Sequence, residues 1–124
     1  MKRWVKNMRE YQDYAVPDVV YIDVDGTLLV DDRVNHDLVT WARRQHNEGK
    51  QIIVWSARGA GNAKRAVELC GMGDIVTHTL SKPGYVVDDL AARFTQYMEI
   101  IHPNEIDNRG RQAPQGGGVY VGSL

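Results

Sequence analysis

The feature that most constrains this chain is residues 19–29, in which a short apolar run is followed by two aspartates and a glycine. The first four residues of the run are β-branched or aromatic, which predicts a buried strand. Asp23 and Asp25 follow with one residue between them, and because side chains alternate along a strand, both should point to the same side at its carboxyl end. Two carboxylates that close are costly to ionise together unless a cation lies between them. The run therefore predicts a functional site at this strand end.

Length and composition indicate a single soluble domain with no membrane span. The chain has 124 residues, of which 43% are hydrophobic and 25% charged, and no apolar run is long enough for a transmembrane helix. The first residues are basic but lack the apolar region of a secretory signal. The single cysteine, Cys70, excludes an internal disulfide and is typical of the reducing cytoplasm, where we expect the protein. A net charge of −1 supplies no field that would attract a polyanion.

Three regions of the chain differ in pattern. Residues 1–16 have the apolar spacing of a short amphipathic helix with basic residues between, and we expect this arm to pack on the domain edge or on a partner subunit. Binding of a phosphate-bearing polymer by the arm is the alternative. Residues 17–102 form the predicted α/β core, and residues 103–124 a tail rich in Pro and Gly that we expect to be loose. The apolar run at 119–121 could add an edge strand or reach a neighbouring subunit.

Within the core, strand and helix patterns alternate. Asn35 is the predicted N-cap of a first helix, and Gly49 is placed to end it. The further predictions are strands at 51–55, 75–80 and 85–87, a helix from about 62 to 70, and a helix from 90 to about 101, where a short strand at 98–101 is the alternative. Alternating strands and helices predict a parallel sheet.

Polar side chains follow several of the predicted strands. Ser56 follows the second strand, Lys82 lies in the turn before the fourth, and Asp88 and Asp89 follow the fourth. In open α/β sheets, ligands bind beyond the carboxyl ends of the parallel strands, so these groups should converge with the two aspartates of the first strand. Oxygen ligands without histidine or cysteine suit Mg²⁺. A lysine and a hydroxyl beside them suit a phosphoryl group.

Together these residues resemble the four motifs of the haloacid dehalogenase (HAD) superfamily. Residues 23–27, Asp-Val-Asp-Gly-Thr, are similar to the first motif, Ser56 to the second, Lys82 to the third, and Asp88-Asp89 to the fourth. The resemblance covers residues 18–95 and implies a three-layer Rossmann-like fold, a parallel sheet with helices on both faces. The short spacing between Lys82 and Asp88 is similar to that of small HAD phosphatases of capsule biosynthesis and of phages.

The resemblance also implies a reaction. Asp23 would attack phosphorus to give an aspartyl-phosphate, and Asp25 would protonate the leaving oxygen and then activate the hydrolytic water. Mg²⁺ would be held by the Asp23 carboxylate, the backbone carbonyl of Asp25, and Asp88, with Asp89 as a further ligand or as a group that orients the ligands. Superfamily members that dehalogenate carbon lack the second aspartate, so the chain is expected to be a Mg²⁺-dependent phosphatase.

The remaining motif residues would bind the phosphate. Ser56 would hydrogen-bond a phosphate oxygen, and the lysine of the third motif would offset negative charge at the nucleophile. Gly26 and Thr27 would supply a turn whose N–H groups face the phosphate. Arg58, with Ala57 before it, would contact the substrate phosphate or the leaving group, and a surface salt bridge is the alternative role for this arginine.

The spacing of the motifs leaves no room for a cap domain. A short segment separates Thr27 from the first helix, and only one helix and one strand separate Ser56 from Lys82. The site is therefore expected to be open to a phosphorylated small molecule or a nucleic-acid end, unless a second subunit of a homo-oligomer covers it. The alternatives to a general phosphatase are a nucleotide or polynucleotide phosphatase, and a non-catalytic HAD-fold binding protein.

Overall fold

The computed structural model describes residues 16–113. These residues fall into two compact units, one formed by residues 18–86 together with 102–113 and the other by residues 16–17 together with 87–101. The helical arm predicted for residues 1–16 falls, except for its last residue, outside the described part of the chain, as does the apolar run at 119–121. Between residues 16 and 113, no helix is long and apolar enough to cross a membrane.

The larger unit is organised around a parallel sheet. Its elements are β1 (Val19–Asp23), β2 (Leu29–Val30), β3 (Arg33–Val34), α1 (His36–Asn47), β4 (Gln51–Ser56), α2 (Ala60–Leu69), β5 (Val76–Ser81) and a 3₁₀ helix at Pro103–Glu105. The sheet has the order β1-β4-β5, with Val19 opposite Gln51 and Ile53 opposite His78. The predicted parallel β-α-β arrangement is confirmed, and the fold is a mixed α/β fold.

Both α-helices end where the local sequence favours an end. The Asn35 side chain accepts a hydrogen bond from the N–H of Leu38 (3.2 Å), which caps α1 as predicted. Gly49 follows α1 with φ of 98°, and Gly71 follows α2 with φ of 64°, a backbone conformation that glycine adopts without strain. α2 begins at Ala60, slightly before the predicted start, because Gly59 already occupies the N-cap position.

Most of the buried residues of this sheet lie on one face. Ile22, Ile52 and Val54 share that face and are at most 4% exposed. Because the strand order advances in one direction from β1 to β5, two right-handed connections place α1 and α2 together on this face. On the opposite face, Tyr21 is 47% and Leu80 38% exposed. Neither α1 nor α2 therefore supplies the second helical layer that the sequence resemblance implies, and β1 is buried on one side only.

An ion pair fixes α1 relative to the loop after α2. Arg43 donates from Nη1 to Oδ2 of Asp74 (2.8 Å) and from Nη2 to Oδ1 (3.0 Å), and Nη2 also donates to the carbonyl of Gly71 (2.8 Å). The hydrogen bond from the guanidinium lowers the pKa of Asp74 and raises the pKa of Arg43. Since both side chains are largely exposed, the pair orients the two segments more than it stabilises the fold.

The segment between β1 and α1 is a short hairpin. β2 and β3 pair antiparallel, with Val30 opposite Arg33, so that Asp31 and Asp32 form a two-residue turn. Both aspartates have positive φ, 52° and 60°, as a type I′ turn requires. The sequence indicated only a short segment before α1, and the strand pairing is an addition.

Two predictions for residues 85–101 differ from the structure. The strand predicted at 85–87 is wrong: Tyr85 is 96% and Val87 101% exposed, and neither is in a strand. A β-branched run needs a neighbouring strand for its backbone hydrogen bonds, and none of the described residues pairs with this segment. The helix predicted from 90 is shorter and tighter than expected, a 3₁₀ helix at Ala91–Tyr97, and Met98 is extended.

Residues 103–113 pack on the larger unit, although they belong to the part expected to be a loose tail. Ile106 is 7% exposed and forms an isolated bridge with Gln112. Gly110 is buried against α1 with φ of 70°, and a Cβ at this position would lie 2.8 Å from Cγ2 of Thr40. This close approach of backbone to helix requires glycine.

Candidate functional site

The two aspartates at the end of β1 are held by a tight turn. The carbonyl of Asp23 accepts from the N–H of Leu28 (3.2 Å), and Gly26, with φ of 81°, donates to the carbonyl of Leu29 (2.8 Å). Val24 and Leu28 are fully buried and anchor the turn in the core. The sequence therefore builds a rigid exit from β1, with Asp23 on the last strand residue and Asp25 in the turn.

Among the described residues, two polar groups contact the Asp23 carboxylate. Nζ of Lys82 lies 3.2 Å from its Oδ1, and the Thr27 hydroxyl donates to its Oδ2 (3.1 Å). The Asp23 side chain is 32% exposed, so it remains accessible to a ligand. Nζ of Lys82 also lies 5.9 Å from the ring centroid of Trp55, the residue opposite Asp23 in the sheet, which is within cation–π range. The structure thus brings the predicted Lys82 and Thr27 to the predicted nucleophile.

Asp25 is paired with Arg58. Nη1 of Arg58 lies 3.2 Å from Oδ1 of Asp25, and the two side chains are 65% and 50% exposed. Arg58 lies in the turn after β4, with the exposed Ala57 before it. The contact with Asp25 places the guanidinium beside the candidate site, and a pair this exposed has little effect on stability.

Ser56 connects the segments that carry the two cations. Its backbone carbonyl accepts from the N–H of Lys82 (2.9 Å) and of Gly59 (3.0 Å). Its hydroxyl oxygen accepts from the N–H of Arg58 (3.0 Å) and from Nδ2 of Asn62 (3.0 Å). Ser56 is only 1% exposed. Each cation is therefore bonded to Ser56 through its backbone and to one aspartate through its side chain.

Asn62 is a site residue that sequence reasoning missed. It lies in the first turn of α2, and its side chain bonds to Ser56 on the preceding strand end. The signal in the sequence was a polar residue in the first turn of a helix that begins directly after a candidate catalytic serine. Such residues are common at helix starts, so the signal alone did not distinguish a site residue from an ordinary first-turn side chain.

Asp88 and Asp89 belong to the smaller unit. Oδ1 of Asp88 accepts from the N–H of Leu90 (2.8 Å), and the Asp88 carbonyl accepts from the N–H of Ala91 (3.1 Å), so Asp88 stabilises the turn that precedes the 3₁₀ helix. Asp89 is exposed. Across residues 16–113, no group of three or more His, Cys, Asp or Glu side chains could hold a metal ion together.

The donors at the end of β1 nevertheless suit Mg²⁺. The Asp23 carboxylate and the Asp25 backbone carbonyl are oxygen donors on one turn, and that turn contains no nitrogen or sulfur ligand. Protein sites usually bind Mg²⁺ through one or two carboxylates, with waters and substrate phosphate completing the octahedron. Two protein oxygens therefore fit a site of this kind.

Comparison with known proteins gives no relative. No protein-family model matches the chain, and no curated protein or solved structure is significantly similar to it. The geometry of the larger unit and the motifs in the sequence are therefore the basis for a functional proposal.

Proposed function

We propose that this chain is a Mg²⁺-dependent phosphomonoester hydrolase of the HAD type, with Asp23 as nucleophile. One observation carries the proposal: a partly exposed Asp23 carboxylate at the carboxyl end of a parallel strand lies 3.2 Å from the ammonium of Lys82. A carboxylate must approach an anionic phosphate to attack it, and a fixed neighbouring cation reduces the repulsion between them. The second pair, Asp25 with Arg58, adds an acid and a further cation beside it.

The proposed reaction has two steps. An oxygen of Asp23 attacks phosphorus, the bond to the leaving oxygen breaks, and a protonated Asp25 gives its proton to that oxygen. Asp25 then takes a proton from a water molecule that attacks the phosphorus of the aspartyl-phosphate, which releases inorganic phosphate and regenerates Asp23. Lys82 and Thr27 keep the Asp23 carboxylate in one orientation throughout.

Mg²⁺ would be held by the Asp23 carboxylate and the Asp25 carbonyl. When bound, the ion offsets negative charge on the phosphoryl oxygens. Asp88 and Asp89 remain ligands expected from the sequence resemblance alone.

The short connections of the larger unit support the expectation that the protein has no cap domain over its site. Only the β2–β3 hairpin lies between the first turn and α1, and only α2 and β5 lie between Ser56 and Lys82. An open site of this kind would accept a phosphorylated small molecule or a nucleic-acid end. A neighbouring subunit of a homo-oligomer could cover such a site. Cytoplasmic location remains an expectation from the cysteine content.

The second candidate function is a phosphatase specific for nucleotides. Tyr21 lies on the same side of β1 as Asp23, is 47% exposed, and its ring centroid is 4.7 Å from that of Trp55. Aromatic side chains beside a phosphate site provide a stacking surface for a base. A binding protein without turnover is the remaining alternative, and it would retain phosphate binding at this site.

A hydrolysis screen tests the proposal. The purified protein is incubated with p-nitrophenyl phosphate, nucleotides, sugar phosphates and a 3′-phosphorylated oligonucleotide, in Mg²⁺ and in EDTA, beside an Asp23→Asn variant whose fold is checked by circular dichroism. We expect turnover that requires Mg²⁺ and is lost in the variant. Phosphate release that is equal in Mg²⁺ and EDTA, or no release from any substrate, would contradict the proposal.

A further inference from the structure

We propose that Asn62 is a positioning residue that turns the Ser56 hydroxyl into a fixed hydrogen-bond donor for a phosphoryl oxygen. The inference rests on the proposed function and names a residue outside the motifs that suggested it. Support for this role of Asn62 comes from the pair of hydrogen bonds that the Ser56 hydroxyl oxygen accepts.

The hydrogen-bonding capacity of Ser56 fixes the direction of its proton. A hydroxyl has one O–H donor and two acceptor lone pairs. The N–H of Arg58 and Nδ2 of Asn62 each lie 3.0 Å from Oγ, and both groups can only donate. Both lone pairs are therefore occupied, and the single proton must point away from both partners.

The orientation of the Asn62 amide is itself determined by a neighbour. Nη2 of Arg65 lies 3.3 Å from Oδ1 of Asn62, and a guanidinium cannot accept a hydrogen bond. The carbonyl end of the amide must therefore face Arg65, which leaves the NH₂ end to face Ser56. The opposite assignment would place two donors against each other at Arg65.

The proton that remains has no acceptor among the described residues. Ser56 is 1% exposed, and no described residue accepts a hydrogen bond from its hydroxyl. A buried hydroxyl proton without an acceptor is unfavourable unless a ligand supplies that acceptor. Because the Ser56 carbonyl also bonds the N–H of Lys82, the donor is fixed relative to the lysine that contacts Asp23. An anionic oxygen held by Lys82 and Arg58 is the acceptor that this arrangement suits.

Three variants separate a positioning role from a merely structural one. Asn62→Ala removes the donor. Asn62→Asp keeps the size but replaces the donor with an acceptor, so that the Ser56 proton turns to the new carboxylate; an acid in the first turn also favours the helix. Ala60→Asp places the same charge on an exposed position of that turn and controls for repulsion of phosphate.

Two readouts are measured for each variant in Mg²⁺: binding of inorganic phosphate by calorimetry, and kcat with p-nitrophenyl phosphate. We expect Asn62→Ala to weaken phosphate binding about tenfold and Asn62→Asp to lower kcat about a hundredfold, with no lowering of the melting temperature for Asn62→Asp. Ala60→Asp should change either quantity by less than about threefold. In a Ser56→Ala background, Asn62→Ala should have no further effect, since the two residues act through one hydroxyl.

The outcomes distinguish this inference from the proposed function. Phosphate binding with the expected pattern but no turnover would support the positioning role and overturn the hydrolase. Turnover with additive effects of Ser56→Ala and Asn62→Ala, or with equal losses for Asn62→Asp and Ala60→Asp, would overturn the positioning role alone. A wild-type protein that neither binds phosphate nor turns over substrate would overturn both.

Discussion

The ammonium of Lys82 lies 3.2 Å from the carboxylate of Asp23, although the two residues come from different strand ends of the sheet. The contact is made possible by the backbone of Lys82, whose N–H is bonded to the carbonyl of Ser56 at the end of β4. Parallel pairing of β1, β4 and β5 aligns the three strand ends at one edge. The site is therefore a direct product of the sheet topology.

Removing the charge of Lys82 should affect catalysis far more than stability. We expect Lys82→Gln to lower kcat by a factor of about 10²–10³, because the cation no longer offsets charge as phosphate approaches Asp23. The free energy of unfolding should change by less than about 1 kcal/mol, since both side chains are about one-third exposed. Steady-state kinetics and urea denaturation measure the two effects. Lys64→Gln, on an exposed position of α2, is the matched control, and equal kcat for both variants would contradict the role of Lys82.

Gly110→Ala should destabilise the larger unit. Its new Cβ would lie 2.8 Å from Cγ2 of Thr40 and 2.9 Å from the N of Trp41, and φ is 70°. Strain and overpacking together should lower the free energy of unfolding by about 2–4 kcal/mol in urea denaturation. At Gly73, a Cβ has nothing within 4 Å, so Gly73→Ala should leave stability unchanged or raise it by up to about 1 kcal/mol. Equal stability of the two variants would show that residues 102–113 do not pack on α1.

The ion pair of Asp74 with Arg43 should make part of the stability dependent on pH. The hydrogen bond from Arg43 lowers the pKa of Asp74 below its ordinary value of 3.8 in the folded state. The pair therefore contributes above that value, and the contribution disappears as pH falls through the lower folded-state pKa. We expect Asp74→Asn to be less stable than wild type at pH 7, and the difference to shrink as the pH is lowered below 3.8. A difference that persists unchanged in acid would exclude this origin.

The turn of the β2–β3 hairpin offers a test of local strain. Asp32 has φ of 60°, a left-handed conformation that costs most residues free energy but not glycine. Asp32→Gly should raise the free energy of unfolding by about 0.5 kcal/mol, and Asp32→Val should lower it by about 1–2 kcal/mol. Thermal denaturation of both variants against wild type measures the ranking. If Asp32→Val were more stable than Asp32→Gly, the turn would not be of type I′.

Local sequence patterns predicted those parts of the fold whose causes are local. Asn35 caps the start of α1 and Gly49 follows its last turn, both through contacts within a few residues, and the β-branched run at 51–55 became the central strand. The convergence of Ser56 and Lys82 also followed, because parallel strands align their ends.

Features that depend on distant contacts were not predictable in this way. The apolar run at 85–87 has strand composition but no neighbouring strand to pair with among the described residues. The packing of Gly110 depends on the surface of α1, far away in sequence. The hydrogen bond from Asn62 depends on where α2 begins relative to the end of β4.

The central claim is that Asp23 is the nucleophile, and trapping the covalent intermediate tests it most directly. The protein is mixed with p-nitrophenyl phosphate and Mg²⁺, quenched in acid, and treated with borohydride, which reduces an aspartyl-phosphate to homoserine; peptide mass spectrometry then locates the product. We predict homoserine at residue 23 in the wild-type protein, and none in EDTA or in Asp23→Asn. Turnover of the substrate with no homoserine at residue 23, or with homoserine at residue 25 instead, would contradict the assignment of Asp23.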